Sequence, residues 1–128
     1  GLAEAHAAGA WLRAHGFLPD RILYSSAART RQTMDALGDL GGVQGHEEAS
    51  IYEASPGTLA ALADANRDAE RLMLVGHNPG LEQLAALIHS GQTGDYRGMP
   101  PGGIAVLSVP LDASIEPGIG TLTQFWWP

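Results

Sequence analysis

Two short stretches of this chain combine residue types that could hold an anion. In Ser25-Ser26-Ala27-Ala28-Arg29-Thr30 an apolar run ends in two hydroxyl residues, and an arginine follows within the next turn. A helix starting there sets a guanidinium beside free backbone N–H groups at its positive end, an arrangement suited to phosphate or carboxylate. The other reading is a capped helix with surface arginines. In Leu74-Val75-Gly76-His77-Asn78-Pro79-Gly80 a β-rich run delivers a histidine into a tight Gly/Pro turn. Its imidazole could donate to a phosphoryl oxygen, as imidazolium or as a correctly set neutral tautomer. Alone, it reads equally as a structural turn histidine. Ile51-Tyr52-Glu53 adds a carboxylate ahead of a helix, either a general acid or an ordinary exposed side chain.

The elements around these residues decide whether they can meet. Leu2 to His15 predicts an Ala-rich helix with Leu2, Ala5, Gly9 and Leu12 near one face and Gly16 as its stop. Arg21 to Tyr24 predicts a buried strand, and Ser25 and Ser26 are expected to cap a helix that runs to about Leu37. Gly38 to Gly45 reads as a loop. Ser55-Pro56 opens a helix through about Ala65 with a serine cap and proline at the first helical position. Arg71 to Val75 predicts a second strand, Gly76 to Gly80 a turn, and Leu81 to His89 a helix closed by Ser90-Gly91. Residues 92–103 read as an exposed loop. Ile104 to Val109 and Leu122 to Trp127 read as two late strands joined by a loop with Gly118 and Gly120. Of the final tryptophan pair, one face is expected to pack inward and one to lie at the rim. Strands alternating with helices predict a three-layer α/β/α sandwich around a mostly parallel central sheet. In such a sheet both strand-to-helix junctions open on the same edge, where ligands bind.

Composition narrows the functions available. The 128 residues suit one domain, read as 1–128, with enough chain to bury a real core. Seven basic residues against fourteen acidic ones give a net charge of −7, which excludes a broad nucleic-acid surface. Any anion site must therefore be a local positive pocket in an acidic body. No long apolar span or signal peptide appears, so no membrane role is expected. The absence of cysteine excludes disulfides, thiolate metal sites and a cysteine nucleophile, and fits a cytoplasmic protein. The chain has no zinc-protease, serine-hydrolase or P-loop motif.

The order S-S-x-x-R-T-x-x-T, I-Y-E-A-S, L-V-G-H-N-P-G resembles the histidine phosphatase superfamily, and most of all its small phosphohistidine phosphatases of the SixA type. Gly1-Leu2 with Glu4-Ala5 resembles that branch's early helix start, and Met99-Pro100, Gly102 to Leu107 and Gly120 to Phe125 continue the likeness. The resemblance implies that Arg29 and His77 bind phosphate and take part in catalysis. It implies that Asn78 supports the turn and touches phosphate, that Ser25 shapes the pocket rim, and that Glu53 is the acid. Pro101 departs from the small polar residue expected after Met-Pro.

A larger departure is an absence. The family's nucleophile is the histidine of an Arg-His-Gly or Arg-His-Ala motif closing a strand, and none is present. Arg13-Ala14-His15-Gly16 ends a helix, while His6, His46 and His89 also lack a preceding apolar strand. With Gly1 rather than Met at the start, the expectation is an N-terminally incomplete domain short of one βα unit. The resemblance implies metal-free, cofactor-free phosphoryl transfer through a phosphohistidine intermediate, and a monomer is the expected state. The implied substrate is a phosphohistidine-bearing protein or a small sugar or nucleotide phosphate. The rival expectation is a non-catalytic phosphate-binding or interaction domain with a vestigial pocket.

Overall fold

The computed structural model describes residues 1–94 and 98–128; residues 95–97 of the expected 92–103 loop lie outside the described residues. The elements are α1 (Leu2–His15), β1 (Arg21–Tyr24), α2 (Ala28–Leu37), β2 (Gly45–Glu47), a 3₁₀ turn (Ala49–Ile51), α3 (Pro56–Ala65), β3 (Leu72–Val75), α4 (Gly80–Ser90), β4 (Ile104–Ser108) and β5 (Thr121–Trp126). Strands β2, β1 and β3 form a parallel sheet in that order, with Tyr24 opposite Glu47 on one side and Val75 on the other. Strands β4 and β5 pair antiparallel as a separate hairpin with a bulge between Val106 and Leu107.

The period-two alternation of the strands sorts their side chains into two cores. Ile22, Tyr24, Met73 and Val75 face a cluster completed by Ala8 and Leu12 of α1 and Leu37 of α2. Leu23 and Leu74 face the opposite cluster, built on Ile51, Leu59 of α3 and Leu84 and Ile88 of α4. Helices thus cover both faces, giving the three-layer sandwich that the sequence predicts. The hairpin contributes to both layers, with Ile104 and Trp126 in the first and Leu107 in the second.

Several local choices follow from residue chemistry. Gly16, with φ of 71°, adopts the left-handed conformation that closes α1, its N–H donating to Leu12 O. At the start of α3 the Ser55 hydroxyl accepts the Thr58 N–H at 3.2 Å, with Pro56 at the first position. Helices α1 and α2 meet at Gly9, where an added Cβ would collide with the carbonyl oxygen of Leu37. Asp20 links the starts of β1 and β3 by accepting the N–H groups of Glu70 and Arg71 at 3.0 and 2.9 Å. Trp126 is half-buried and stacks on Trp11 with centroids 5.5 Å apart, while Trp127 is exposed.

Three features differ from the sequence reading. Helix α2 begins at Ala28 with Ala27 as its uncapped boundary, not at the serines, because the chain stays extended for one residue more. A three-residue strand, β2, falls where the glycine-rich loop gives way to polar residues. Finally, the late strands form their own hairpin and do not pair with β3 among the described residues.

Candidate active site

Strand β1 runs into α2 on one face of the sheet, and its neighbour β3 runs into α4 on the other. Adjacent parallel strands whose helices leave to opposite faces open a crevice at their carboxyl ends. A cleft of about 660 Å³ lies there, lined by Arg29 from α2, Tyr52 and Glu53 from the loop before α3, and His77, Asn78 and Gln83 from the start of α4. Ile51, Leu59 and Leu81 supply its apolar wall. The structure therefore brings Arg29, His77, Glu53 and Asn78 together, and leaves Ser25 outside the lining.

The missing cap on α2 has a chemical consequence. Ser25 is fully buried, and its Oγ accepts the Ala27 N–H at 3.3 Å, one position too early to cap the helix. The N–H groups of Ala28 and Arg29 therefore have no partner among the described residues, and both residues line the cleft. Arg29 is exposed, and its guanidinium makes no ion pair or hydrogen bond among the described residues. The open amides that form the positive end of α2 and the Arg29 guanidinium thus share one edge of the cleft, an arrangement suited to an anion.

His77 follows β3 directly. Its Nε2 lies 3.2 Å from the hydroxyl of Thr30, which is 2% exposed on α2. Its carbonyl accepts the Leu81 N–H at 3.2 Å, tying the turn to α4. Asn78 spends its amide on the scaffold. Oδ1 accepts the Glu82 N–H at 3.2 Å and Nδ2 donates to Met99 O at 2.6 Å. Glu82 returns a bond by accepting the Met99 N–H at 2.8 Å, so the Met99-Pro100 segment is latched to the histidine turn. The Asn78–Pro79 peptide is cis.

Glu53 is exposed and holds a left-handed backbone, φ 51°, the sole described non-glycine residue with positive φ. Such a conformation costs about 1–3 kcal/mol when the surroundings impose it. Here the 3₁₀ turn before it and the Ala54 N–H bond to Ile51 O at 3.1 Å hold the loop. The carboxylate has no hydrogen-bond partner among the described residues and is free to meet a ligand.

Thr30 and Gln83 are the cleft-associated residues that sequence reasoning missed. Thr30 belongs to the quoted S-S-x-x-R-T motif, which was its one available signal; nothing local marks a helical threonine as the partner of a histidine 47 residues away. His77 is the one histidine lining the cleft. His15 ends α1, with Nδ1 at 3.0 Å from Trp11 O and its ring stacked on Trp11, and His6, His46 and His89 are exposed. No group of three or more His, Cys, Asp or Glu gathers for a metal among the described residues, and no described helix is long and apolar enough to cross a membrane.

No family model matches the chain. An uncharacterized protein of Mycobacterium tuberculosis is 35% identical to it, over 100% of this chain and 85% of the relative. A Mycobacterium leprae protein, also uncharacterized, is 34% identical over 85% of this chain and 71% of its own length. Among solved structures, a protein of Agrobacterium tumefaciens assigned as the phosphohistidine phosphatase SixA superposes with a TM-score of 0.80 at 31% identity, over 100% of this chain and 80% of that one. A protein histidine phosphatase SixA solved with tungstate superposes with a TM-score of 0.82 at 20% identity, over 99% of this chain and 80% of that one, a likeness of fold. With 31% identity to the Agrobacterium protein across this chain and the same layered fold, the chain belongs to the SixA family of the histidine phosphatase superfamily.

Proposed function

We propose that this chain carries the phosphate-binding half of a metal-independent phosphatase acting on phosphohistidine. The observation that carries the reading is the convergence of Arg29, His77 and Glu53 on one cleft at the carboxyl ends of β1 and β3. Phosphoryl transfer asks a protein chiefly for positioning and for neutralisation of charge on the equatorial oxygens. Arg29, with the open amides of Ala28 and Arg29, grips two oxygens, and His77 donates to a third.

The nucleophile is a second, neutral imidazole supplied by a histidine outside these 128 residues. Its ring nitrogen forms a P–N bond as the bond from phosphorus to the leaving group breaks. Glu53 protonates the leaving group, then takes a proton from the water that attacks the phosphoryl-histidine and frees phosphate. The outer edge of β3 supports this reading. It is unpaired among the described residues, and Leu72, Met73 and Leu74 are only half-buried, so a further parallel strand fits beside it. A strand there would end at the same sheet edge as His77.

The open cleft, with exposed Tyr52 at its mouth, favours a protein-borne phosphoryl group over an enclosed small molecule. The rival reading, a phosphate-binding module without turnover, draws on His77 being the one cleft histidine. Both are tested by mass spectrometry of the protein produced from its own gene, quenched in alkaline denaturant during hydrolysis of an aryl phosphate with chelator present. A transient adduct of one phosphoryl group on a histidine outside the 128 residues supports the enzyme. Tight phosphate binding with neither adduct nor turnover establishes the binding module instead.

A further inference from the structure

The hydroxyl of Thr30 is buried at 2% exposure inside the first turn of α2, beside Arg29. A helical threonine ordinarily turns its hydroxyl back to a carbonyl of the preceding turn. Here Oγ1 lies 3.2 Å from Nε2 of His77, and this is its one hydrogen bond among the described residues. The pairing joins the anion-binding helix start to the histidine turn across the two strand ends.

Counting protons assigns the direction of the bond. A hydroxyl has one hydrogen to place, whereas an imidazole nitrogen is either a donor or an acceptor, never both. If Nε2–H donated to Thr30, the hydroxyl hydrogen would be buried without an acceptor among the described residues. If Thr30 donates to a bare Nε2, its hydrogen is satisfied and the ring proton sits on Nδ1. Stranding a buried donor biases the equilibrium by roughly tenfold or more, enough to overcome the modest preference of a free imidazole for Nε2–H. Nδ1 has no partner among the described residues, and His77 lines the cleft.

We propose that Thr30 is a positioning residue for His77: its hydroxyl donates to Nε2, orients the ring and holds the proton on Nδ1, the nitrogen then offered to the ligand's oxyanion. This deepens the oxyanion reading and rests on it for the last step only. His77 acts as a neutral donor set by a neighbour, so the cleft presents a fixed N–H rather than a freely turning ring. Thr30 itself touches no substrate.

The test is long-range ¹⁵N NMR of the histidine-labelled full chain, at a pH where imidazole is neutral, about two units above its ordinary value of about 6.5. His77→Gln assigns the resonances. Wild type and Thr30→Ser should show the Nδ1–H pattern, and the near-isosteric Thr30→Val should revert to mainly Nε2–H. Titration with inorganic phosphate should show about tenfold weaker binding by Thr30→Val and near-normal binding by Thr30→Ser. An Nε2–H wild type overturns the proposal without needing any variant to fold, and so does an unchanged tautomer in Thr30→Val. If the tautomers behave as stated but phosphate ignores every variant, Thr30's role on His77 stands and the oxyanion reading falls.

Discussion

Arg29 adds its charge beside the open amides at the start of α2, so its loss should be felt by any phosphoryl transition state. Arg29→Ala in the protein from its own gene is expected to lower turnover by about 10²- to 10³-fold, with the fold retained because the side chain is exposed. His77→Ala should be at least as damaging, since it also strands the buried Thr30 hydroxyl. Glu53→Gln should slow substrates with poor leaving groups far more than activated aryl phosphates, and equal slowing of both would remove it as the acid. At this scale the sequence was informative about types and less so about contacts. Arg29 and His77 were legible as neighbours in the cleft because each follows a strand-to-helix junction, whereas Glu53, in the loop before α3, had no strong local signal of its own. Ser25 was expected at the rim and is buried, because its hydroxyl satisfies the Ala27 amide instead of capping the helix. Asn78 lines the cleft, yet its amide is already committed to Glu82 and Met99.

Between elements, close approach and shared carboxylates set the geometry that the site depends on. Gly9→Ala should destabilise the protein by about 1–3 kcal/mol in chemical denaturation. Alanine's helix propensity is worth about 1 kcal/mol in its favour, but the colliding atom is backbone carbonyl of Leu37 and cannot rotate away. Asp20 holds β1 to β3, and the N–H bonds from Arg71 and Glu70 keep its carboxyl below the ordinary 3.8. A depressed carboxyl stabilises the fold above its unfolded value and loses that contribution as pH falls through the folded one. Wild type should therefore melt above Asp20→Asn near neutrality, and the gap should narrow progressively as pH falls below about 3.8; a gap that widens in acid contradicts this assignment. The helices and β1, β3, β4 and β5 were readable from apolar runs, glycine stops and the Ser55-Pro56 start. Strand β2 was not, since Gly45-His46-Glu47 has no apolar period and is recruited by pairing with Ile22 to Tyr24.

Taken whole, the molecule is a sandwich whose two helical layers were foreseeable from the alternation of strands and helices. Its division into a parallel three-strand sheet and a separate hairpin was not, because strand order depends on pairings that no local signal encodes. That division leaves β3 with an unpaired edge among the described residues, beside the turn that carries His77. Because Arg29 is exposed in a chain of net charge −7, phosphate binding should weaken with salt while remaining indifferent to chelators. The most direct test is hydrolysis of a phosphohistidine peptide by the protein from its own gene, with chelator present, alongside its His77→Ala variant. Release of phosphate by the wild type, lowered at least 10²-fold in the variant, is the predicted result. Equal release by both proteins, or none by the wild type, would contradict the assignment of this cleft to phosphoryl transfer.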